Sequence, residues 1–561
     1  MVMEFSILIG GEAGDGIRSA SLTIGKIFHR VGMHVFVYDD YPSLIRGGHN
    51  YSIVRVSDKK IWSVHDKVDL IIAFNEQTIQ LHQSKLQKAG RIIYDSDVVK
   101  EKIKKIKNGL GVPLTSMVKQ VGGVQIMRNS AALGVICYLF GIPHAVFKDL
   151  MQETYGKKSE VNIKLFEMCD EYSAKNFKQF RKLKAKKFEG VVVNGNEAAA
   201  RGAVRAGLGV YAAYPITPTT SILHFLAEKK KEFGVKVILP ESEIAVVTMA
   251  LGAAYAGKRT MLATAGPGFA LMQESISMAG MAEIPLLAVH AQRMGPSTGV
   301  PTYSGQNDLR FVLHAGHGEF PKIVLAASDA EDAYYKTAEA LNLAWKYQVP
   351  VLLISDKIIA ESAMNFVMNE KKIKIEQPKL ATNFKNYKRY QFTADGVSPL
   401  AFPGSQAVVK VDSYEHDEFG VTIEDAEQVK AMNEKRFKKC DAIVKELKRC
   451  ETVKTYGKQS SKNLIVTWGS TKGVVIDACD AAGVDAKILN VIYLEPFPVW
   501  EVEPLLRKAK RVVCVEANYT GQLASLIREK TGVEIKQKIL RYDSRPFNPL
   551  ELGKDLKKIL G

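Results

Sequence analysis

The chain has 561 residues and a formal charge of +17. That length is too great for one hydrophobic core, so roughly three or four domains are expected. No apolar run reaches the roughly 20 residues of a membrane helix, and the N-terminal stretch is acidic and glycine-rich where a signal peptide would be apolar, so we expect a cytoplasmic protein with no membrane contact. The basic residues are spread along the chain without interleaved aromatic residues, which argues against nucleic-acid binding.

The six cysteines are scattered singly and form no Cys-x-x-Cys pair. They are Cys137, Cys169, Cys440, Cys450, Cys479 and Cys514. This spacing argues against a disulfide framework, and against an iron–sulfur cluster or structural zinc held by this chain alone. Any electron-carrying cluster is therefore expected on another subunit.

The first element is a buried strand, Glu4 to Ile9, followed by a glycine-rich loop and a helix, Ile17 to Val31. Gly11, Gly14 and Gly16 lie in the loop. Glycines let the backbone approach a phosphate closely, and the helix N-terminus would face it. The spacing is not Gly-x-Gly-x-x-Gly, so we expect either a phosphate-bearing ligand other than NAD or FAD, or a structural turn.

A second glycine pair, Gly47-Gly48, lies between Arg46 and His49 and connects two predicted strands. Arginine next to glycines can form an anion site because no other side chain blocks access to its donors. A plain hairpin connection with a solvated arginine explains the pattern equally well. Further along, lysines and arginines interrupt the pattern at residues 177–189, which we interpret as a linker.

A new domain begins at residue 190, and its most distinctive stretch is the turn from Tyr214 to Thr220. Pro215 and Pro218 stiffen the turn, and Thr217 lies between them. The turn joins a strand to a helix N-terminus, where anions bind well. On local grounds it is either an anion-binding turn or a proline-rich turn with a threonine cap.

Three later turns follow predicted strands in the same domain. Glu243 starts an apolar helix, so its carboxylate is either a partly buried group that needs a partner or a helix-capping acid. Gly266 and Gly268 lie in the turn after the strand from Thr260 to Ala263. Arg293 follows another strand and is either a carboxylate-binding fork or a surface arginine. In open parallel sheets, ligands bind at this edge.

The remainder divides at about residue 460. Residues 364–410 are less periodic, and residues 427–449 have the pattern of a charged helix. Between them lies His416 among acidic neighbours; because these residues are adjacent on a predicted loop, metal binding is not favoured. A last small α/β domain begins with the strand from Asn463 to Trp468.

The order of these motifs resembles that of 2-oxoacid:ferredoxin oxidoreductases, in the archaeal-type arrangement where the γ part is fused ahead of the α part. The most specific motif is Tyr214-Pro215-Ile216-Thr217-Pro218. The resemblance implies a multidomain α/β fold in five segments. These are a γ-type domain (1–176), the linker (177–189), a pyrimidine-binding-type domain (190–365), a connecting region (366–460) and a transketolase C-terminal-like domain (461–561).

The resemblance also implies a reaction and its partners. A 2-oxoacid (pyruvate, 2-oxoglutarate or a broad range), CoA and oxidised ferredoxin would give acyl-CoA, CO2 and reduced ferredoxin. Thiamine diphosphate would be shared with a β subunit that carries Mg2+ and [4Fe–4S], in an αβ or (αβ)2 assembly. No metal would bind this chain: Gly14-Asp15-Gly16 has the triplet of a diphosphate motif, but no matching asparagine follows.

The family's residue roles can be carried over to matching positions. Glu243 would bond the aminopyrimidine nitrogen of thiamine, while Thr217 and Arg293 would hold the substrate. The remaining cofactor-binding positions implied are Tyr214, Pro215, Gly266 and Gly268 for thiamine diphosphate, and Gly11, Gly14, Gly16 and Arg46 for CoA.

Two alternatives stay open at this point. The chain could be a subunit of another thiamine-diphosphate-dependent enzyme, for instance one with transketolase-like chemistry. It could also be a non-catalytic scaffold that binds CoA or a nucleotide, which would leave Glu243, Thr217 and Arg293 without a common role.

Overall fold

A computed structural model describes residues 3–43, 48–99, 108–183 and 188–561. The strands are β1 (Glu4–Glu12), β2 (His34–Asp40), β3 (His49–Ser57), β4 (Val68–Ala73), β5 (Leu86–Asp95), β6 (Gly109–Val112), β7 (Val191–Asn194), β8 (Val210–Ala212), β9 (Lys236–Ile238), β10 (Thr260–Thr264), β11 (Leu286–Gln292), β12 (Ile323–Ala326), β13 (Pro350–Asp356), β14 (Ala363–Phe366), β15 (Val453–Gly457), β16 (Asn463–Trp468), β17 (Lys487–Val491), β18 (Tyr493–Glu495), β19 (Arg511–Glu516) and β20 (Gln537–Leu540).

The helices alternate with these strands. They are α1 (Ile17–Arg30), α2 (Glu76–His82), α3 (Leu114–Gln120), α4 (Arg128–Phe140), α5 (His144–Tyr155), α6 (Glu160–Asn176), α7 (Gly195–Arg205), α8 (Thr220–Phe233), α9 (Glu243–Tyr255), α10 (Gly266–Leu271), α11 (Gln273–Met281), α12 (Leu309–Leu313), α13 (Ala330–Tyr347), α14 (Lys357–Glu361), α15 (Ala426–Leu447), α16 (Thr471–Ala482), α17 (Val499–Lys508), α18 (Gln522–Thr531) and α19 (Pro549–Leu560). Within the described ranges, none is both long enough and apolar enough to cross a bilayer.

The chain folds into two compact units, of which the first comprises Met1–Val193 and Ser362–Met368. Its eight-stranded sheet has the order β6-β5-β4-β1-β3-β2-β14-β7. Parallel pairing of β1 with β4 and antiparallel pairing of β1 with β3 make the sheet mixed. The rings of Phe5, Phe28 and Phe140 meet in its core, where the apolar faces of α1 and α4 cover the sheet.

Strand β14 joins this sheet although about 170 residues of the second unit precede it. Ala363 and Met364 pair with Val37 and Phe36 of β2, and the side-chain oxygen of Asn365 accepts a hydrogen bond from the Val35 N–H at 2.9 Å. The segment expected to close the 190–365 domain therefore lies in the first unit. The reason is a long-range strand pairing that no local periodicity reveals.

Residues 177–183, the described first part of the predicted linker, pack on the first unit. The Phe180 N–H donates to the Leu139 carbonyl at 2.7 Å, and Leu183 is buried. Arg181 forms an ion pair with Asp69 at 3.2 Å. Apolar side chains placed between the basic residues give this stretch a core face, so its charge alone was a poor guide.

The second unit comprises Asn194–Glu361 and Asn369–Gly561 and contains two sheets. The larger has the order β18-β12-β13-β11-β10-β8-β9, and the smaller has the order β15-β17-β16-β19-β20. Strands β8 to β13 run parallel, whereas β18 pairs antiparallel with β12. Strands β10, β11 and β13 are buried along their whole length, as expected for a parallel sheet covered by helices on both faces.

The order of the larger sheet decides where its turns lie. Strands β11, β10, β8 and β9 are consecutive neighbours, so the four turns at their carboxyl ends lie side by side. The division of this unit into a pyrimidine-binding-type domain, a connecting region and a last domain stays a prediction, because contacts group all three into one compact unit.

Candidate functional site

The turn after β8 presents Tyr214 and Pro215 to solvent and leaves Thr217 half-buried. The Thr219 hydroxyl donates to the Ile216 carbonyl at 3.0 Å, and the Asn196 side chain donates to the Pro218 carbonyl at 2.7 Å. The side chain of Thr219 thus stabilises the turn with a local hydrogen bond. The Thr217 hydroxyl has no hydrogen-bond partner among the described residues and remains available.

Arg293 directly follows β11 and is buried against the same turn. Its Nη1 donates to the Thr217 carbonyl oxygen at 2.9 Å. Its Nε is buried and has no acceptor among the described residues. Burial lowers the pKa of Arg293, and the nearby Asp308 carboxylate counteracts this. The turn therefore fixes a desolvated guanidinium that keeps one donor unused.

Glu243 is the first residue of α9, behind the N-cap Ser242, whose side chain accepts from the Ala245 N–H at 3.3 Å. Because Ser242 caps the helix, Glu243 is not needed for that task. Its side chain is buried, yet within the described chain its carboxylate has neither a hydrogen bond nor an ion pair. A buried carboxylate without a partner is costly, so this group indicates a ligand that donates to it.

Gly268, in the first turn of α10, makes room for that carboxylate. A Cβ at position 268 would overlap the Thr264 hydroxyl and lie 2.7 Å from Glu243 Oε1. Gly266, two residues earlier, faces Asp308, where a Cβ would lie 3.2 Å from the carboxylate oxygen. Both glycines therefore let a carboxylate lie close to the backbone, and neither is needed for an unusual backbone conformation.

His290 and Asp308 are site residues to which sequence reasoning gave no role. The fully buried His290, on β11, has its Nε2 2.9 Å from Asp308 Oδ2. The Asp308 N–H donates to Gln292 Oε1 at 2.8 Å. A histidine inside the otherwise apolar start of β11 was the available sequence signal, because a buried ring nitrogen needs a partner.

The glycine loop of the first unit lies at the carboxyl end of β1. Gly14 and Gly16 have φ of 103° and 72°, which glycine adopts at little cost. The Asp15 carboxylate accepts from the Glu12 N–H at 2.9 Å and from Arg128 Nη2 at 2.6 Å, so the loop is held from two sides. A cavity of about 350 Å3 adjoins it.

The structure thus gathers the expected residues at two sheet edges. Tyr214, Pro215, Thr217, Glu243, Gly266, Gly268 and Arg293 share one edge in the second unit. In the first unit, Gly14 and Gly16 lie in the loop at the carboxyl end of β1, whereas Gly11, predicted in the loop, lies within β1 because the strand runs on to Glu12 and pairs with β3. Arg46 lies outside the described residues.

Comparison with known proteins identifies the family to which the chain belongs. Residues 201–435 match the family model for pyruvate flavodoxin/ferredoxin oxidoreductase, thiamine diphosphate-binding, and residues 6–172 match that for pyruvate ferredoxin/flavodoxin oxidoreductase. A Sulfolobus protein named 2-oxoacid:ferredoxin oxidoreductase subunit alpha is 33% identical over 626 aligned residues, covering 100% of this chain and 97% of its own. The chain belongs to the 2-oxoacid:ferredoxin oxidoreductase family.

Two further proteins with related names are also similar to this chain. The 2-oxoglutarate synthase subunit KorA of Archaeoglobus fulgidus is 32% identical over 348 residues, which cover 62% of this chain and 92% of the relative. The 2-oxoglutarate:ferredoxin oxidoreductase of Magnetococcus marinus, solved with 2-oxoglutarate, coenzyme A and succinyl-CoA bound, superposes with a TM-score of 0.89 at 32% identity and covers both chains fully.

These findings confirm the expected family, the multidomain α/β fold class and the oxidoreductase class. They do not favour the alternatives of a different thiamine-diphosphate enzyme or a non-catalytic scaffold.

Proposed function

We propose that this chain is the α-type subunit, with a fused γ-type unit, of a CoA-acylating 2-oxoacid:ferredoxin oxidoreductase. The complex would convert a 2-oxoacid and CoA into acyl-CoA and CO2 while reducing ferredoxin. The names of the full-length relatives and the ligands of the Magnetococcus enzyme support this reaction.

Three polar groups without partners carry the proposal. At one sheet edge of the second unit, three groups have no hydrogen-bond partner within the described chain: the carboxylate of Glu243, a residue only 9% exposed, the buried Nε of Arg293 and the hydroxyl of the half-buried Thr217. A bound ligand would need to supply donors to the carboxylate and acceptors to the other two. An aminopyrimidine ring beside a 2-oxoacid offers this combination.

Glu243 fits the aminopyrimidine ring of thiamine diphosphate. Its buried carboxylate would accept a hydrogen bond from the ring nitrogen and hold a proton there. The absence of a Cβ at Gly268 lets this carboxylate take its position, and Gly266, Tyr214 and Pro215 would line the ring. When bound, thiamine diphosphate supplies an electron sink for the carbanion left by loss of CO2.

Arg293 and Thr217 would hold the 2-oxoacid. The guanidinium already donates to the Thr217 carbonyl, so one end of it is held at the turn before substrate binds. Its unused Nε would donate to the substrate carboxylate, and the Thr217 hydroxyl to the carboxylate or keto oxygen. Pyruvate, 2-oxoglutarate and larger 2-oxoacids all carry these two groups.

A β subunit would complete the enzyme by holding the diphosphate, Mg2+ and [4Fe–4S], in an αβ or (αβ)2 assembly that reduces ferredoxin. The designation of the full-length relatives as subunit alpha supports a multi-subunit enzyme. The single, scattered cysteines of this chain favour a cluster on the partner.

CoA would bind near Gly11, Gly14 and Gly16, with Arg46 as a further candidate. The glycine loop leads into the N-terminus of α1, whose free N–H groups suit a phosphate. The adjacent cavity offers additional volume for the ligand.

The experiment is reconstitution with the partner subunit, followed by assay of a panel of 2-oxoacids with ferredoxin or viologen as acceptor. The isolated chain should be inactive and the complex active. Glu243→Gln should abolish turnover while leaving assembly intact, whereas Glu228→Gln, an exposed residue of α8, should match wild type. Activity of the isolated chain would overturn the assignment, whereas near-wild-type kcat in Glu243→Gln would remove Glu243 from the mechanism.

A further inference from the structure

The carboxylate of Asp308 lies among three parts of the candidate site. Its Oδ2 is 2.9 Å from His290 Nε2, and it faces Gly266 in the turn after β10. It also acts electrostatically on Arg293, where it opposes the effect of burial. Its side chain is 20% exposed, so it borders the site instead of belonging to the core.

Residues of β11 hold the Asp308 carboxylate in position. His290 is fully buried on β11, and the Phe269 ring packs 4.7 Å from its ring centre, so the imidazole has little freedom. The Asp308 N–H is bonded to Gln292, the residue next to Arg293. Side chain and backbone of Asp308 are therefore both tied to β11, the strand that carries Arg293.

We propose that Asp308, oriented by His290, is a positioning residue that fixes and charge-balances Arg293 for binding of the 2-oxoacid carboxylate. This inference rests on the proposed function. Arg293 has one hydrogen bond to the turn and an unused Nε, so a single contact does not define its plane. Among the described residues no ion pair joins Asp308 to Arg293, so the carboxylate acts at longer range: held beside β11 by His290 and Gln292, it favours the charged guanidinium in a desolvated position.

The test compares Asp308→Asn with wild type in the reconstituted complex. We expect the KM for the 2-oxoacid to rise roughly tenfold, a larger effect than that on kcat, with the KM for CoA unchanged. Asp308→Glu should recover part of the affinity. Asp425→Asn, which replaces the aspartate that caps α15 in the same unit, should behave as wild type.

A double-mutant cycle tests the role of His290. If His290 acts through Asp308, the combination His290→Leu with Asp308→Asn should raise the KM no further than Asp308→Asn alone. His290→Gln keeps a donor toward Asp308 and should stay closer to wild type than His290→Leu. If the Asp308→Asn complex does not assemble, the comparison of His290→Gln with His290→Leu still tests whether His290 orients Asp308.

An unchanged 2-oxoacid KM in Asp308→Asn, or equal effects of His290→Gln and His290→Leu, would overturn the inference while wild-type turnover still upheld the proposed function. Absence of turnover in the wild-type complex would instead reject the proposed function.

Discussion

Nη1 of Arg293 donates a hydrogen bond to the carbonyl oxygen of Thr217 at 2.9 Å. This bond joins the turn after β8 to the end of β11, two strands that are separated by β10 in the sheet. The residue between the two prolines thus anchors the guanidinium with its backbone and keeps its hydroxyl available.

Arg293→Lys should lower kcat/KM for the 2-oxoacid by roughly 10- to 100-fold, the effect of losing a charge-assisted hydrogen bond worth about 1.5–3 kcal/mol. A lysine keeps the charge but cannot bond the Thr217 carbonyl and a carboxylate with the same planar fork. Steady-state kinetics of the reconstituted complex measure this, and an unchanged kcat/KM would show that Arg293 does not bind substrate.

Gly268→Ala should reduce kcat by roughly 100-fold or more, because the added methyl group would displace the Glu243 carboxylate. Gly252→Ala is the matched control: Gly252 lies within α9, and a Cβ there meets no atom within 4 Å. That control should retain activity and, as an exposed helical position, gain stability. Equal kinetics of the two variants would contradict the role given to Gly268.

Gly16→Ala should raise the KM for CoA about tenfold without changing the KM for the 2-oxoacid. Residue 16 has a left-handed backbone, which costs a non-glycine residue about 1–2 kcal/mol. Its Cβ would also lie 2.7 Å from Asn129 Nδ2. Gly122→Ala, with a similar φ of 66° but open space, separates backbone strain from the contact. Equal effects of both variants on CoA would argue against a site at this loop.

The first unit should lose stability on mild acidification because of a buried histidine pair. Nε2 of His82 lies 2.9 Å from Nε2 of His49, next to Tyr51. Burial, together with Lys85 and His49, lowers the pKa of His82 to about 3, while Asp40 opposes the similar effect of burial on His49. A depressed histidine pKa means that the unfolded chain binds the proton first. The neutral His82 therefore contributes to the free energy of unfolding above pH 6.5, and this contribution is lost progressively toward pH 3.

His82→Gln removes this titration, so its melting temperature should fall less than that of wild type between pH 7.5 and pH 5. Scanning calorimetry of the full chain measures the difference. His224→Gln, at an exposed position of α8, should show the wild-type pH dependence. A parallel fall in wild type and His82→Gln would remove His82 as the cause.

Much of the site follows from the sequence because its residues come just after buried strands. In a parallel sheet those positions share one edge, so Thr217, Glu243 and Arg293 could be placed together from local patterns. The contacts between residues far apart in the sequence could not be predicted from local patterns. The bond between His290 and Asp308 joins a strand residue to a position 18 residues further along, and the pairing of β14 with β2 joins residues more than 300 positions apart. Local periodicity contains no information on either.

The return of β14 to the first sheet has a consequence for how this chain could be divided. Because Ser362–Met368 belongs to the first unit, the chain passes between the units three times. A protease that cut at residue 189 would nick the chain without freeing the first unit, since the downstream fragment would still contribute β14 and β7, the two strands that follow β2 in the sheet. A gene split at that point would encode two polypeptides that share one β-sheet.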